Sequence, residues 1–469
     1  MQYKKKSGFQ KSMMILASAP VVAVIGLFVF FSRNKQGIQA PVPAADIAFF
    51  TYKIDASEIN FLEQRTGTLL TIPAHAFVDD SGQPVTGEVT FKVREFHETS
   101  DLLRAGIPMR VFTGSEDVLQ SAGMLEFRAF QGGRSLELKK GTSIGIELAS
   151  FRPSEGYDLY FLEDDSEWEV TDTFARKNNE RKQQDIACLK EKIYQRCGIP
   201  SEEDEIVFEL GGNPVASPYL RPLAGMQWLL CPLESDPNYR TALREIWEAV
   251  NVQKPRNDDY LFPLQFSRVM YKKVNNGPDL RTFRAKALVV PEDCEGLPDW
   301  DQLVAELSKM EGRFSSVFQN LEESLKLMEE ETQRIRNQAD LVNVFEANKM
   351  GLYNIDKLLK LDSTFQVILA FDVEENYPSD RMEKAVLYSL WEAENSVIAY
   401  EYNDFKKVRV TNRSPISFML LLPDGKMAVV EAADVLKALA GGKKILRLQT
   451  RVVEAASFLK SKHSPSNPV

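Results

Sequence analysis

The sequence predicts an α+β chain that is mostly β: an N-terminal transmembrane helix, then β-sandwich-like domains separated by a long coiled-coil-like helix. Three observations predict it. Val89, Phe91 and Val93 alternate with Thr90, Lys92 and Arg94, and Leu125, Phe127 and Ala129 with Glu126 and Arg128; a period of two marks half-buried strands. A seam of apolar positions runs from Leu303 to Ala339 at steps of three and four, the spacing of a helix that buries one stripe. Ser12 to Ser32 is a run of 21 residues without a charge.

Residues 1–11 are then a cytoplasmic stub and 12–32 the anchor. At about 1.5 Å per residue the run reaches roughly 30 Å, the depth of a bilayer's hydrocarbon core. Lys4, Lys5, Lys6 and Lys11 precede it and only Arg33 and Lys35 follow, so the positive-inside bias puts the bulk of the chain outside the cytoplasm, in the inner membrane's extracytoplasmic or periplasmic space. A cleaved signal peptide is the competing reading. Its apolar core is about 7–15 residues and ends in small residues, whereas this run is longer and meets Arg33 at once. Residues 33–46, with Pro41 and Pro43, read as a tether.

Residues 47–171 read as a first β-sandwich, with turns at Asp79–Gly82, Gln131–Gly133 and Lys140-Gly141. Residues 172–200 read as a polar helix stopped by Gly198-Ile199-Pro200. A mixed region spans 201–300, with strands at Ile206–Leu210, Met226–Cys231 and Arg281–Val290 and a helix at Asn238–Val250. The 301–340 helix follows, roughly 57 Å long for about 38 residues, with one stutter between Leu321 and Leu325. It pairs with the 172–197 helix or, alternatively, makes a homodimer through the Leu303–Ala339 seam. A C-terminal β-rich domain occupies 341–459, with a hairpin turn at Pro423-Asp424-Gly425 and a strand at Ile445–Val453, and 460–469 is a polar tail expected to be disordered.

Charge sets limits on function. The chain of 469 residues carries 57 Lys+Arg and 67 Asp+Glu, a net −10. Residues 1–38 hold six of the bases and no acid, leaving 51 bases against 67 acids, or −16, in the remainder. That disfavours nucleic acid, which is bound by neutralising phosphates. Cys188 and Cys197 fall nine residues apart on one helix, about 13 Å and beyond the roughly 7 Å that a disulfide spans. A bridge must therefore use Cys231 or Cys294, and four free thiols is the simpler expectation.

Catalytic signatures are sparse. Of the three histidines, His463 lies in the tail, and His75 and His97 lack metal-ligand spacing. No serine sits in a G-x-S-x-G elbow. His97-Glu98-Thr99-Ser100-Asp101 reads as a loop after a strand. Glu163-Asp164-Asp165 with Glu167 and Glu169, and Glu202-Glu203-Asp204-Glu205, are the densest acid clusters and read as solvated turns. They match no calcium loop. No catalytic, cofactor-binding or metal-binding residue is assigned, and no cofactor is expected.

Several segments carry a resemblance. Arg65–Pro73, Ala76–Val89, Arg94-Glu95-Phe96, Gly106–Met109 and Ser121–Met124 resemble a module of uncharacterised membrane-anchored envelope proteins of Bacteroidota, and the opening Gly67-Thr68…Ile72-Pro73 is similar to ZU5-type β-sandwiches. Met350–Asp356 resembles a motif from the distal part of such proteins. The resemblance implies a β-sandwich and no known activity. Some ZU5-type proteins cut themselves at a His-Phe-Ser site, a tripeptide absent here. The expectation is a non-enzymatic single-pass envelope protein with a structural or protein/cell-wall binding role and a protein partner in the envelope. The alternatives are a carboxylate-dependent hydrolase of envelope glycans and a sensor or accessory subunit of a membrane complex.

Overall fold

The computed structural model describes residues 38–462, apart from 112–116, 164–166, 210–225, 243, 246, 253–260, 272–277, 291–292, 295–296, 299–325, 327, 360–363, 373–381 and 442–443. The expected anchor (12–32), most of the long helix and nearly all of the tail lie outside the described residues. Among the described residues no helix is long and apolar enough to cross a membrane. The fold is mostly β, as the periodicity predicted.

Two sheets make the first sandwich. One runs Phe50–Asp55, Glu88–Phe96, Leu119–Gln131, Gly351–Leu358, Asp158–Glu163, Glu167–Val170, with Phe77–Val78 and Arg134–Leu138 attached. The facing sheet runs Ala175–Asn178, Leu341–Ala347, Ile144–Ser150, Leu69–Ile72, Asn60–Glu63. The alternation read from sequence points Val89, Phe91, Val93, Leu125, Phe127 and Ala129 into the shared core. There the Phe127 ring stacks on Phe91 and Tyr353 at centroid distances of 5.9 and 5.7 Å. Each such buried ring contributes roughly 1.5–3 kcal/mol by area.

Strands Leu341–Ala347 and Gly351–Leu358 correct the division by sequence. The sequence groups them with the C-terminal domain, yet each sits inside a sheet of the first sandwich. Leu341–Ala347 pairs in full register with Ile144–Ser150, and Tyr353 opposes both Leu125 and Phe161. The chain leaves the sandwich after Asn178 and re-enters beside it at Leu341, which pairs Asn178, while the Asn179 N–H donates to the Asp340 carbonyl at 2.8 Å. Residues 179–340 are therefore an insertion. Local alternation identifies a strand but not its partner, so a strand distant in sequence is assigned by tertiary packing alone.

Other boundaries shift for similar reasons. The polar helix is Glu180–Cys197, because Ala175–Asn178 is drawn into the sheet edge. Its end is as expected: Gly198 takes φ 71°, and the Ile199 N–H reaches back to the Tyr194 carbonyl. The 33–46 tether is not free along its described part. Pro43–Ala45 forms a 3₁₀ turn, Ala45 and Ile47 are buried, and Arg104 Nε donates to the Ala45 carbonyl at 2.8 Å.

The insertion carries a five-stranded sheet, ordered Val207–Glu209, Gln227–Leu230, Pro278–Val290, Leu261–Tyr271, Ala249–Val252. The helix expected over Asn238–Val250 shrinks to Tyr239–Ala242, since Ala249–Val252 pairs with the sheet. Cys197 and Cys231 are bridged, with Cα atoms 4.1 Å apart, which corrects the expectation of four free thiols; Cys188 is free and exposed. Of the 301–340 helix, Lys326 and Met328–Arg336 are described as helical. Met328 and Ile335 pack with Leu189 and Ile193 of the Glu180–Cys197 helix. Lys192–Glu331 and Arg334–Asp185 ion pairs, at 2.8 and 3.0 Å, flank that contact.

The C-terminal unit holds a five-stranded sheet (Ser396–Glu401, Val386–Trp391, Ser417–Leu421, Lys426–Val430, Arg451–Glu454) and a three-stranded one (Val408–Val410, Phe365–Asp372, Ile445–Gln449). The expected strand Ile445–Val453 is thus split between two sheets. Its core is continuous with the outer face of the first sandwich, where Phe96, Met124, Tyr160, Leu162 and Leu352 meet Leu387, Leu390 and Tyr400.

Candidate functional site

The densest buried polar chemistry lies at this seam. It is assembled from four segments: Arg65–Thr68, Arg94–Phe96, Ser121–Met124 and Met350–Asp356.

Glu95 continues the inward phase of Val89, Phe91 and Val93, so its carboxylate points into the sandwich and is buried. A buried carboxylate needs donors. Thr66 Oγ1 donates to its two oxygens at 3.0 and 2.8 Å, and the Thr68 hydroxyl also donates to Oε1. Thr68 in turn accepts from the Ala149 N–H at 2.9 Å. His97 Nε2 lies 3.3 Å from Glu95 Oε1, its ring edge-on to Phe151 at 5.1 Å, and its Nδ1 is buried without a partner. Gly123 makes this approach feasible. At φ 143° a Cβ there would stand 3.3 Å from His97 Nδ1 and 3.2 Å from the Ala149 carbonyl.

The stretch after His97, expected as a loop, turns at once into the Thr99–Ala105 helix, capped by Asp101. Its Oδ2 accepts from the His97 and Glu98 N–H groups at 3.1 and 3.2 Å. Burial pushes the Asp101 carboxyl above its usual range, against those two bonds and the His97 and Arg104 charges.

A second group lies across the same strands. Ser121 Oγ donates to Asn354 Oδ1 at 3.0 Å and accepts from the Gly123 N–H at 3.1 Å, and Asn354 Nδ2 donates to Asp356 Oδ2. Burial raises the Asp356 carboxyl to about 8, against the hydrogen bonds from Ser121 and Asn354. Its Oδ1 has no partner.

Asn395 of the C-terminal unit closes the seam. It sits at φ 50°, in the left-handed region that Asn tolerates. Nδ2 donates to the His97 and Ser121 carbonyls at 2.9 and 3.1 Å, and Oδ1 accepts from Thr99 Oγ1 at 3.1 Å. The Ser121 N–H donates to the Asn395 carbonyl at 3.2 Å, and Ser396 Oγ donates to the Leu119 carbonyl at 2.7 Å. Nearby, Arg94 is buried between Glu126 (2.7 Å) and Asp46 (3.0 Å), with Arg128 also on Glu126. This network holds the 43–47 segment against the sheet.

Chemically, the cluster has a histidine beside a carboxylate, yet Glu95, His97, Thr66, Thr68, Ser121, Asn354, Asp356 and Asn395 are all buried. The arrangement joins two β units.

The residues weighed from sequence are scattered. His75 is exposed on a turn at φ 58°, and His463 lies outside the described residues. Glu163 and Glu167 are cross-strand partners at a hairpin, with Glu167 and Glu169 exposed. In the second acid run Asp204 is held below its usual range by hydrogen bonds from Arg240 and Ser201, and Glu205 accepts from Tyr194. Among the described residues His, Cys, Asp and Glu do not cluster in a way that holds a metal. Glu95 was legible as an acid in the apolar phase of a strand. Asn395 carried no such signal, because its partners lie nearly three hundred residues away. No known protein family, no curated protein and no solved structure matches the chain.

Proposed function

We propose that this chain is a non-enzymatic, single-pass envelope protein whose β-rich part lies outside the cytoplasmic membrane as a structural or binding scaffold. The observation that carries the reading is the buried network: its histidine and carboxylates are bonded to one another's neighbours inside the sandwich, and Asn395 ties the same strands to the C-terminal unit. The convergence there of the segments that resemble Bacteroidota envelope modules is in keeping with such a structural use. Outward placement is supported by the Cys197–Cys231 bridge, since disulfides persist in oxidising compartments. The charge asymmetry around residues 12–32 supports the same orientation.

Cys188 supplies the test, being exposed and free. In a Cys294→Ser background, a membrane-impermeant maleimide applied to intact spheroplasts should label Cys188 without permeabilisation. Labelling only after lysis overturns the reading.

A further inference from the structure

A cleft of about 650 Å³ opens where the edge of the second sandwich sheet meets the helix that ends at Arg336. It lies outside the seam. Four amide side chains line it: Gln64, Gln333, Asn337 and Gln338. Its charges are Arg65 and Arg334 against Glu63 and Glu330, so they cancel and favour neither a polyanion nor a polycation. Among the described residues no apolar one lines it, which disfavours a lipid tail or an apolar peptide.

One lining residue has an unmet hydrogen-bonding need. Gln338 is buried, and its Nε2 donates to Asp185 Oδ2 at 3.1 Å, which settles the amide's orientation. Its Oε1 is left buried with no partner, an arrangement that costs roughly 1–3 kcal/mol unless something donates to it. Gln64 is likewise buried and held, its Nε2 donating to Tyr52 at 3.0 Å. Beside the cleft, Phe61 is 66% exposed on the edge strand. It stands two residues before Glu63 and therefore on the same face, about 7 Å away.

We infer that this cleft binds a neutral glycan. Each sugar hydroxyl both donates and accepts, as each amide does. Equal numbers of acids and bases add hydrogen-bonding capacity without net charge, and an exposed aromatic ring offers the apolar C–H face of a pyranose a surface to stack on. The inference deepens the binding half of the reading above and rests on it for the compartment where such glycans are met.

The test is isothermal titration of the full chain in a polyoxyethylene detergent, since sugar-headed detergents would compete. The probes are the N-acetylglucosamine tetrasaccharide and the glucose tetrasaccharide. Saturable binding of at least one is expected, weakened about tenfold or more, some 1.4 kcal/mol, by Phe61→Ala and by Asn337→Ala. Both positions lie at the surface or partly so, and unchanged circular dichroism of each variant would exclude unfolding. Binding of neither sugar overturns the inference, as does binding that both variants leave unchanged, or uptake of a sulfated polysaccharide in their place. Failure here with Cys188 still labelled from outside removes this site alone and leaves the topology reading standing.

Discussion

Asn395 offers the sharpest test of how the two β units are held. Replacing it with Ala strips two bonds to the His97 and Ser121 carbonyls and one from the Thr99 hydroxyl, all in a buried seam. A buried neutral hydrogen bond is worth about 1 kcal/mol net, and more when its partner is left unsatisfied, so the three sum to roughly 3–4 kcal/mol. Alanine at φ 50° adds about 1 kcal/mol of backbone strain. The expected loss for Asn395→Ala is therefore about 4–5 kcal/mol, a large part of what a domain has in hand. Asn395→Gly loses the same bonds without strain but frees the unfolded chain, which offsets most of the strain relief, so it should be milder by at most about 0.5 kcal/mol. The assay is guanidinium unfolding followed by tryptophan fluorescence, together with hydrogen exchange resolved by segment. Exchange should rise on both sides of the seam, in 97–106 and in 386–401, and stay unchanged in the inserted sheet. A loss below about 1 kcal/mol for Ala, or exchange confined to the 392–396 turn, would refute the claim that Asn395 couples the units.

Two further outcomes follow. Reducing Cys197–Cys231, or Cys197→Ser, releases a loop of 34 residues and should cost about 3–4 kcal/mol by chain entropy. Differential exchange with and without reductant should show this in Glu180–Cys197 and the inserted sheet rather than in the sandwich, and uniform loosening would count against an independent insertion. For Asp356 the sign is set by its raised carboxyl, about 8 when folded against about 3.9 when unfolded. The folded state holds the proton more tightly, so this contribution is fully present below about pH 4 and lost as pH rises to about 8. Asp356→Asn should flatten that decline in urea midpoints measured across the window, and a variant that tracks the parent at every pH would contradict it.

Legibility from sequence followed the range of the interaction. The inward phase of Val89–Val93, the stop at Gly198 and the Pro423–Gly425 hairpin depend on neighbours a few residues away, and the sequence displays them. Glu95 was half legible: its phase placed it in the core, but its donors Thr66 and Thr68 come from the turn between two strands of the facing sheet. The sandwich membership of Gly351–Leu358, the split of Ile445–Val453 and the Cys197–Cys231 pairing were not legible. Each depends on which distant segment lies alongside, and a strand's pattern is the same whichever partner it has. The Gln338 cleft shows the same limit, because amides at 64, 333, 337 and 338 look solvated until a helix is laid beside the sheet edge.

By itself, then, the sequence determined the mostly-β class, the phase of the strands and the uneven distribution of charge, since periodicity and composition are local properties. Only the tertiary structure decided that residues 179–340 interrupt one sandwich, that the sandwich is covered on its outer face by the C-terminal unit, and that His97 is enclosed. Those outcomes come from burying apolar area and satisfying polar groups between segments far apart in the chain. The free energy of such contacts exists only once the partners have met.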